Sequence, residues 1–352
     1  EWQSVPDPAF QIAYGVECVV DGHMHYAPEA MTLFDYRTDH FDGDPEWKAQ
    51  AEKTPTFMYA MPLGPTEDGG QRIFFEETSL VARPGVSMEE CMRRCFARLE
   101  YLGVKVRPGS ISEEEFCYIP MGGPTPVPGQ RVVAFGGAAA IVHPATGYHL
   151  CRMMAASSEV AQAIADGWRA PQGPRPDAIA ASAYDAMWSP GNQAQRDFAL
   201  FGAELLMTLD VVGLRGWFDS FFRLDEDMWA GFLAGWPTLP RNALHETWKG
   251  RLIFGTSMVS RLTPAIAMRL IAGIFVYSAK YGLPLLRSVF PLPGHHPRHE
   301  WEPPTAPELV GDPVVKQEAR ALRSAPRPWE AQPAAPESVE AGGPVAAREV
   351  LP

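Results

Sequence analysis

The sequence predicts an α+β fold, and three features of the chain carry that prediction. Apolar and polar residues alternate in short runs through the first third, as half-buried strands require. Near the middle, Arg131 to Tyr148 reads as a buried strand (Val132 to Phe135), a Gly136-Gly137 turn and a Pro-marked helix entry near Thr146. From about Ile179 to Ile274 the apolar spacing is mostly helical.

In chain order, Phe10 to Val20 alternates well enough for a strand, and Met31 to Tyr36 for a second. Asp35 and Arg37 lie two apart on that strand, share a face, and read first as a local ion pair. Residues 38–54 are polar without periodicity and read as a loop. Thr56 to Met61 and Arg72 to Ala82 read as strands joined through an Asp68-Gly69-Gly70 turn. Ser87-Met-Glu-Glu90 is a capping-box pattern that opens a helix to about Leu102, with Met88, Cys91, Cys95, Leu99 and Leu102 as its apolar stripe. Phe116 to Pro120 is a further strand, and a helix follows Tyr148 to about Ala165. From about Pro291 the chain turns Pro-, Ala- and Glu-rich, a composition that buries too little apolar surface to fold, and residues 291–352 read as a disordered tail.

Composition narrows the function. A formal net charge of −12 argues against nucleic-acid binding, which needs a basic stripe to neutralise phosphates. The five cysteines are odd in number and scattered, so they imply no disulfide framework, and Cys91 with Cys95 reads as buried core rather than zinc ligation. His295, His296 and His299 have no carboxylate partner in an ordered context, so no metal is expected. No uninterrupted apolar stretch reaches ~18 residues, the length a spanning helix needs.

Two stretches carry candidate chemistry. Small residues after a strand let a backbone approach a ligand, and a helix N-terminus favours anions, so Gly136-Gly137 suits either a ligand or plain packing. Glu76 and Glu77 are neighbours on a strand, point to opposite faces, and cannot both enter one pocket without a bulge. By residue type alone they read as solvated strand charges.

Resemblance sharpens both. Gly136-Gly-Ala-Ala-(x)₂-Val-His-Pro-Ala-Thr-Gly-Tyr148 resembles the second FAD-contacting motif of the plant and algal lycopene cyclases. Phe74-Phe75-Glu76-Glu77-Thr78 resembles that family's Phe-Leu-Glu-Glu-Thr motif. Gln11-Ile-Ala-Tyr-Gly-Val-Glu17, Leu33-Phe-Asp-Tyr-Arg37, the Ile119-Pro-(x)-Gly-Gly123 run and Trp217-Phe-Asp-Ser-Phe-Phe222 fall at similar spacings. The chain departs from the family in a small insertion around Glu67 to Gln71 and in Trp188-Ser-Pro-Gly-Asn192, where the family carries a charged run.

The resemblance implies an acid-initiated, non-redox cyclization of the linear ends of lycopene or another linear carotene. Glu76 would be the essential acid and Glu77 the second carboxyl, in an apolar site that keeps the acid protonated and excludes water. Gly136, Gly137, Ala138, His143, Pro144 and Gly147 would hold FAD in its reduced form, with NADPH as the source of reducing equivalents. The motif details lean toward the ε-cyclases over the β-cyclases. The family's Gly-x-Gly-x-x-Gly phosphate loop has no counterpart here, so the resemblance covers the family's C-terminal part and implies a chain that is truncated or derives from an incomplete or fused gene, binding FAD poorly and inactive by itself. Four regions are expected: residues 10–127 as a substrate-binding mixed sheet with a helix, 128–168 as the returning part of an FAD domain of the α/β flavoprotein superfamily, 179–290 as a helical, membrane-associated region, and the tail. Plastid localisation, peripheral membrane contact through Arg251 to Leu286 and association with other carotenoid-pathway enzymes follow from the same resemblance. Two alternatives stay open: another flavoprotein such as a prenyl reductase or hydroxylase, and a carotenoid-binding module without catalysis.

Overall fold

The computed structural model describes residues 6–126, 128–236, 242–294, 312–325 and 327. One sheet holds β1 (Ala9–Asp21), β2 (Thr32–Asp35), β3 (Thr56–Pro65), β4 (Gln71–Ser79), β5 (Lys105–Val106) and β6 (Glu113–Met121). Its order is β2-β3-β4-β1, with β5 and β6 sharing the far edge of β1. The expected mixed sheet is corrected: every described pairing is antiparallel. A strand-helix-strand pattern is present in the chain, but β1 lies between β4 and β6, so those two parallel strands never pair. The β3–β4 hairpin closes where Thr66 N donates to Gly70 O (2.8 Å), with Gly69 at φ +89°.

Period-two alternation gives the sheet two distinct faces. Tyr14, Val16 and Cys18 of β1, Met58 and Ala60 of β3, and Ile73 and Phe75 of β4 bury against α2 (Met88–Tyr101). That helix starts as its capping pattern predicts, with Ser87 Oγ accepting from Glu90 N (3.1 Å). Cys91 and Cys95 lie in this core, fully buried, as expected. The opposite face carries Tyr59, Phe74, Glu76, Glu115, Cys117 and Ile119, all half-buried.

Three local expectations are corrected. Residues 38–54, a loop by sequence, contain α1 (Pro45–Lys53), because Asp44 Oδ1 caps Trp47 N (3.0 Å) and Pro45 sits at the first helical position. Val132 to Phe135 forms no strand. Val132 is 85% exposed, and an extended segment becomes a strand only where a neighbour completes its ladder. The following helix, α3 (Leu150–Trp168), begins later than Thr146, because Thr146 N and Gly147 N both donate to His143 O and close a turn first.

The helical region comprises α4 (Pro176–Met187), α5 (Pro190–Leu206), α6 (Val211–Phe222), α7 (Glu226–Ala234), α8 (Ala243–Glu246), α9 (Trp248–Arg261), α10 (Pro264–Tyr281) and α11 (Pro284–Val289). Its core is continuous with the β2–β3 end of the sheet, where Phe57, Tyr36 and Leu80 meet Leu214, Phe218 and Met258. A smaller cluster of Ala139, Ile141, Ala156, Met187, Trp188 and Trp236 seats the glycine turn against α3 and α4. Each large side chain buried this way contributes about 2 kcal/mol.

The tail expectation is also corrected in part. Within 291–352, α12 (Asp312–Arg323) packs Ala319 and Leu322 on the α2-side core, and Arg327 holds Glu114 at 2.6 Å. His295, His296 and His299 lie outside the described residues. Among the described residues, no helix is long and apolar enough to cross a membrane.

Candidate active site

The two glutamates go to different places, as strand alternation requires. Glu77 points toward α2, is fully buried, and accepts from Arg98 Nε (2.8 Å) and Nη2 (3.0 Å) and from Thr56 Oγ1 (2.5 Å). Arg98 also lies 3.6 Å from Asp35, which Arg37 grips through Nε (2.8 Å) and Nη2 (2.5 Å). Asp35 and Arg37 thus form the local ion pair expected. Burial opposes the charge on Asp35, but the hydrogen bonds and charges of Arg37 and Arg98 outweigh it and hold that carboxyl down at about 2. This network ties β2, β3, β4 and α2 together and has no spare proton donor on the open face.

Glu76 points the other way. Its cross-strand neighbours are Tyr59 on β3 and Gly15 on β1, and Gly15 in turn faces Glu115 on β6. Burial, with the charge of Glu115 added, pushes the Glu76 carboxyl up to about 7. Tyr59 and Ile119 of this face belong to the core shared with Tyr148. Burial first, then the nearby Tyr148 and Glu76, raise the Tyr59 hydroxyl. Phe74 lies over Gly15 so closely that a Cβ there would sit 2.4 Å from its ring. An apolar, aromatic surface therefore surrounds a carboxyl that keeps a substantial protonated fraction at neutral pH, an arrangement suited to donating a proton to a carbon centre.

The glycine motif reaches the same side of the molecule. Gly147, at φ +76°, packs against Gln11 of β1, and a Cβ there would lie 2.1 Å from Gln11 Oε1. Its positive φ, with Gln11 packed against it, calls for glycine there without any ligand. His143 N donates to Tyr148 O (3.0 Å), and the His143 ring is 2% exposed, edge-on to Phe232 at 4.9 Å. Burial, then Arg152 and His245, hold His143 well below its usual range, so it is neutral. Pro144 is buried beside it.

Gly136 holds φ +67°, Gly137 has open space where a Cβ would stand, and Ala138 is exposed. The turn leaves room for a flat cofactor to approach at Gly137 and Ala138, with Gly136 buried behind them. His143, Pro144 and Gly147 face inward and shape the turn behind it.

Sequence reasoning passed over Arg98, Gly15 and Glu115. Arg98 carries a signal in retrospect, an arginine four residues from Arg94 beside the Cys91–Cys95 stripe. Gly15 and Glu115 acquire meaning only through long-range register.

A family model described as "Lycopene cyclase protein" matches residues 2–249. The chain is 43% identical over 256 residues to a protein named lycopene beta cyclase, chloroplastic, from Arabidopsis thaliana, covering 72% of this chain and 48% of the relative. It is 40% identical over 254 residues to the chloroplastic/chromoplastic lycopene beta cyclase of Capsicum annuum, with the same shares. It is 41% identical over 234 residues to a neoxanthin synthase, chloroplastic, from Solanum lycopersicum, covering 66% of this chain and 45% of that one. The chain spans about half the length of these curated relatives. A family model over most of the chain, with relatives 40% identical or more across two thirds of it, settles the family: this chain belongs to the lycopene cyclases.

Proposed function

We propose that this chain forms the acid-bearing part of a plastid lycopene cyclase, in which Glu76 starts ring closure at the linear ends of a carotene. The observation that carries the reading is Glu76 itself, held near pH 7 among Tyr59, Phe74 and Ile119 rather than beside a cation. Its proton adds to the terminal double bond and leaves a tertiary cation. The electron pair of the next double bond closes the six-membered ring, and loss of a neighbouring proton completes an isomerisation without electron transfer. The aromatic face keeps water from the cation, and the Phe74 ring can stabilise it. Glu77 serves from behind as part of the Arg98 ion pair. FAD, approached by the turn of Gly136, Gly137 and Ala138, would supply charge and proton handling in its reduced form, with NADPH as the source of reducing equivalents.

The ring type follows from which proton leaves. Motif details in Ala13 to Glu17 and Phe34 to Arg37 favour the ε-ring, whereas the relatives named above include β-cyclases, and both outcomes share the same acid. Plastid residence rests on the chloroplastic names of those relatives. Peripheral membrane contact rests on α10, where Met268, Ile271, Phe275 and Val276 are exposed near Arg261, Arg269 and Lys280.

The test is expression in a lycopene-accumulating bacterial host, alone and joined to the part of the Arabidopsis relative that this chain does not match. Ringed carotenes are expected from the joined wild-type protein and none from the chain alone or from joined Glu76→Gln, and chromatography separates β- from ε-ringed product. Unchanged lycopene from the joined wild-type protein sinks the reading.

A further inference from the structure

The open face of the sheet holds a second carboxylate that the acid-initiated reading does not use. In the row across β3, β4, β1 and β6 the residues are Tyr59, Glu76, Gly15 and Glu115. Residues in register on an antiparallel sheet share a face, so Glu76 and Glu115 flank Gly15 from either side. Two strand spacings, about 10 Å, separate their backbones. Gly15 contributes no side chain between them, and the Phe74 ring lies in that gap.

We propose that Glu115 is the base of the ring closure, taking the proton that the cyclised cation gives up while Glu76 supplies the one that starts it. This inference rests on the cyclase reading above. Glu76 gives its O–H proton to the terminal double bond, the neighbouring double-bond pair forms the ring C–C bond, and the C–H beside the new cation breaks. Its electron pair becomes the ring double bond, and its proton goes to the Glu115 carboxylate. The product is an isomer of the substrate, and exchange with solvent resets both carboxyls, so no oxidant or reductant is consumed.

The other carboxylates nearby are committed elsewhere. Glu17, one row away, accepts from Ser112 Oγ (2.8 Å) and lies 3.8 Å from Arg72. Glu114 is on the opposite face, bound by Tyr14 and Arg327. Glu113 is exposed at the strand end. Among the described residues, the other titratable groups that act on or feel Glu76 are Tyr59 from β3, with Tyr148 of the motif turn beside it, Cys117 from β6, and Cys91 of α2 through the sheet. Of the groups around Glu76, Glu115 stands out as the charge that, with burial, raises it.

The position of the base selects which proton leaves, so Glu115 also bears on ring type. The test uses the joined, ring-forming protein with Glu115→Gln and Glu115→Asp. Glu115→Gln should cut ring formation about a hundredfold, mix the ring isomers in the residual product, and move the alkaline limb of the pH profile down by about one pH unit. Glu115→Asp should keep a single ring type. Glu115→Gln with unchanged rate, isomer ratio and alkaline limb overturns the assignment. So does an equal loss in both variants with ring type and limb unchanged, which marks a structural role. Wild-type protein that forms no ring sinks the cyclase reading and this inference together.

Discussion

Gly15 is the narrowest point of the carboxylate row, and the Phe74 ring occupies the space its side chain would take. Gly15→Ala therefore forces that ring aside, and ring formation should fall at least about tenfold while the fold survives, since the clash is with one side chain. Chromatography and circular dichroism on the same sample separate the two effects. Glu76 makes a prediction about stability as well as rate. Its carboxyl is raised from 4.5 in the unfolded chain to about 7 in the folded one, so the folded state binds the extra proton between those values. Stability from this group is fully present below 4.5 and is lost as pH rises through about 7. At pH 8 the neutral Glu76→Gln should be the more stable protein, by on the order of 3 kcal/mol, with the advantage vanishing near pH 4. Thermal unfolding across that range checks it, and a pH-independent difference would contradict the assigned environment.

At the scale of elements, the sheet and α2 are locked by Glu77 and Arg98 rather than by apolar packing alone. Arg98→Met leaves a buried carboxylate unpaired and should cost about 3–5 kcal/mol, whereas Arg98→Met with Glu77→Gln together should cost much less. Urea unfolding of the single and double variants measures the difference. These elements also show what a sequence can disclose. Opposite faces for Glu76 and Glu77 follow from strand period, and the α2 start follows from Ser87, because both are properties of adjacent residues. Arg98 escaped because arginine reads as exposed until a buried partner is known, and that partner is 21 residues away. Glu115 escaped for the same reason at longer range, since only the β1–β6 register brings it opposite Gly15. Val132 to Phe135 misled in the opposite sense, having strand composition without a ladder to join.

At the scale of the molecule, the open sheet face and the motif turn meet through Gln11 with Gly147, and through Tyr59 with Tyr148. The helical region packs against the β2–β3 end of the sheet and presents α10 outward. Met268, Ile271 and Phe275 lie along one side of that helix, at 66%, 46% and 72% exposure. If that side rests on lipid, Ile271→Glu with Phe275→Glu should abolish co-flotation with anionic vesicles and leave the circular dichroism spectrum unchanged. Retained flotation would move the membrane contact elsewhere.

The alternation that separates Glu76 from Glu77 has a genetic corollary. Inserting or deleting one codon in β4 ahead of the pair, with the chain still pairing to β1 and β3, would exchange the two side chains between faces. The first glutamate would then meet Arg98 and the second would enter the aromatic surface, with its flanking phenylalanines turned the wrong way. The Phe-Phe-Glu-Glu-Thr string would survive intact in the gene, while its chemistry would not.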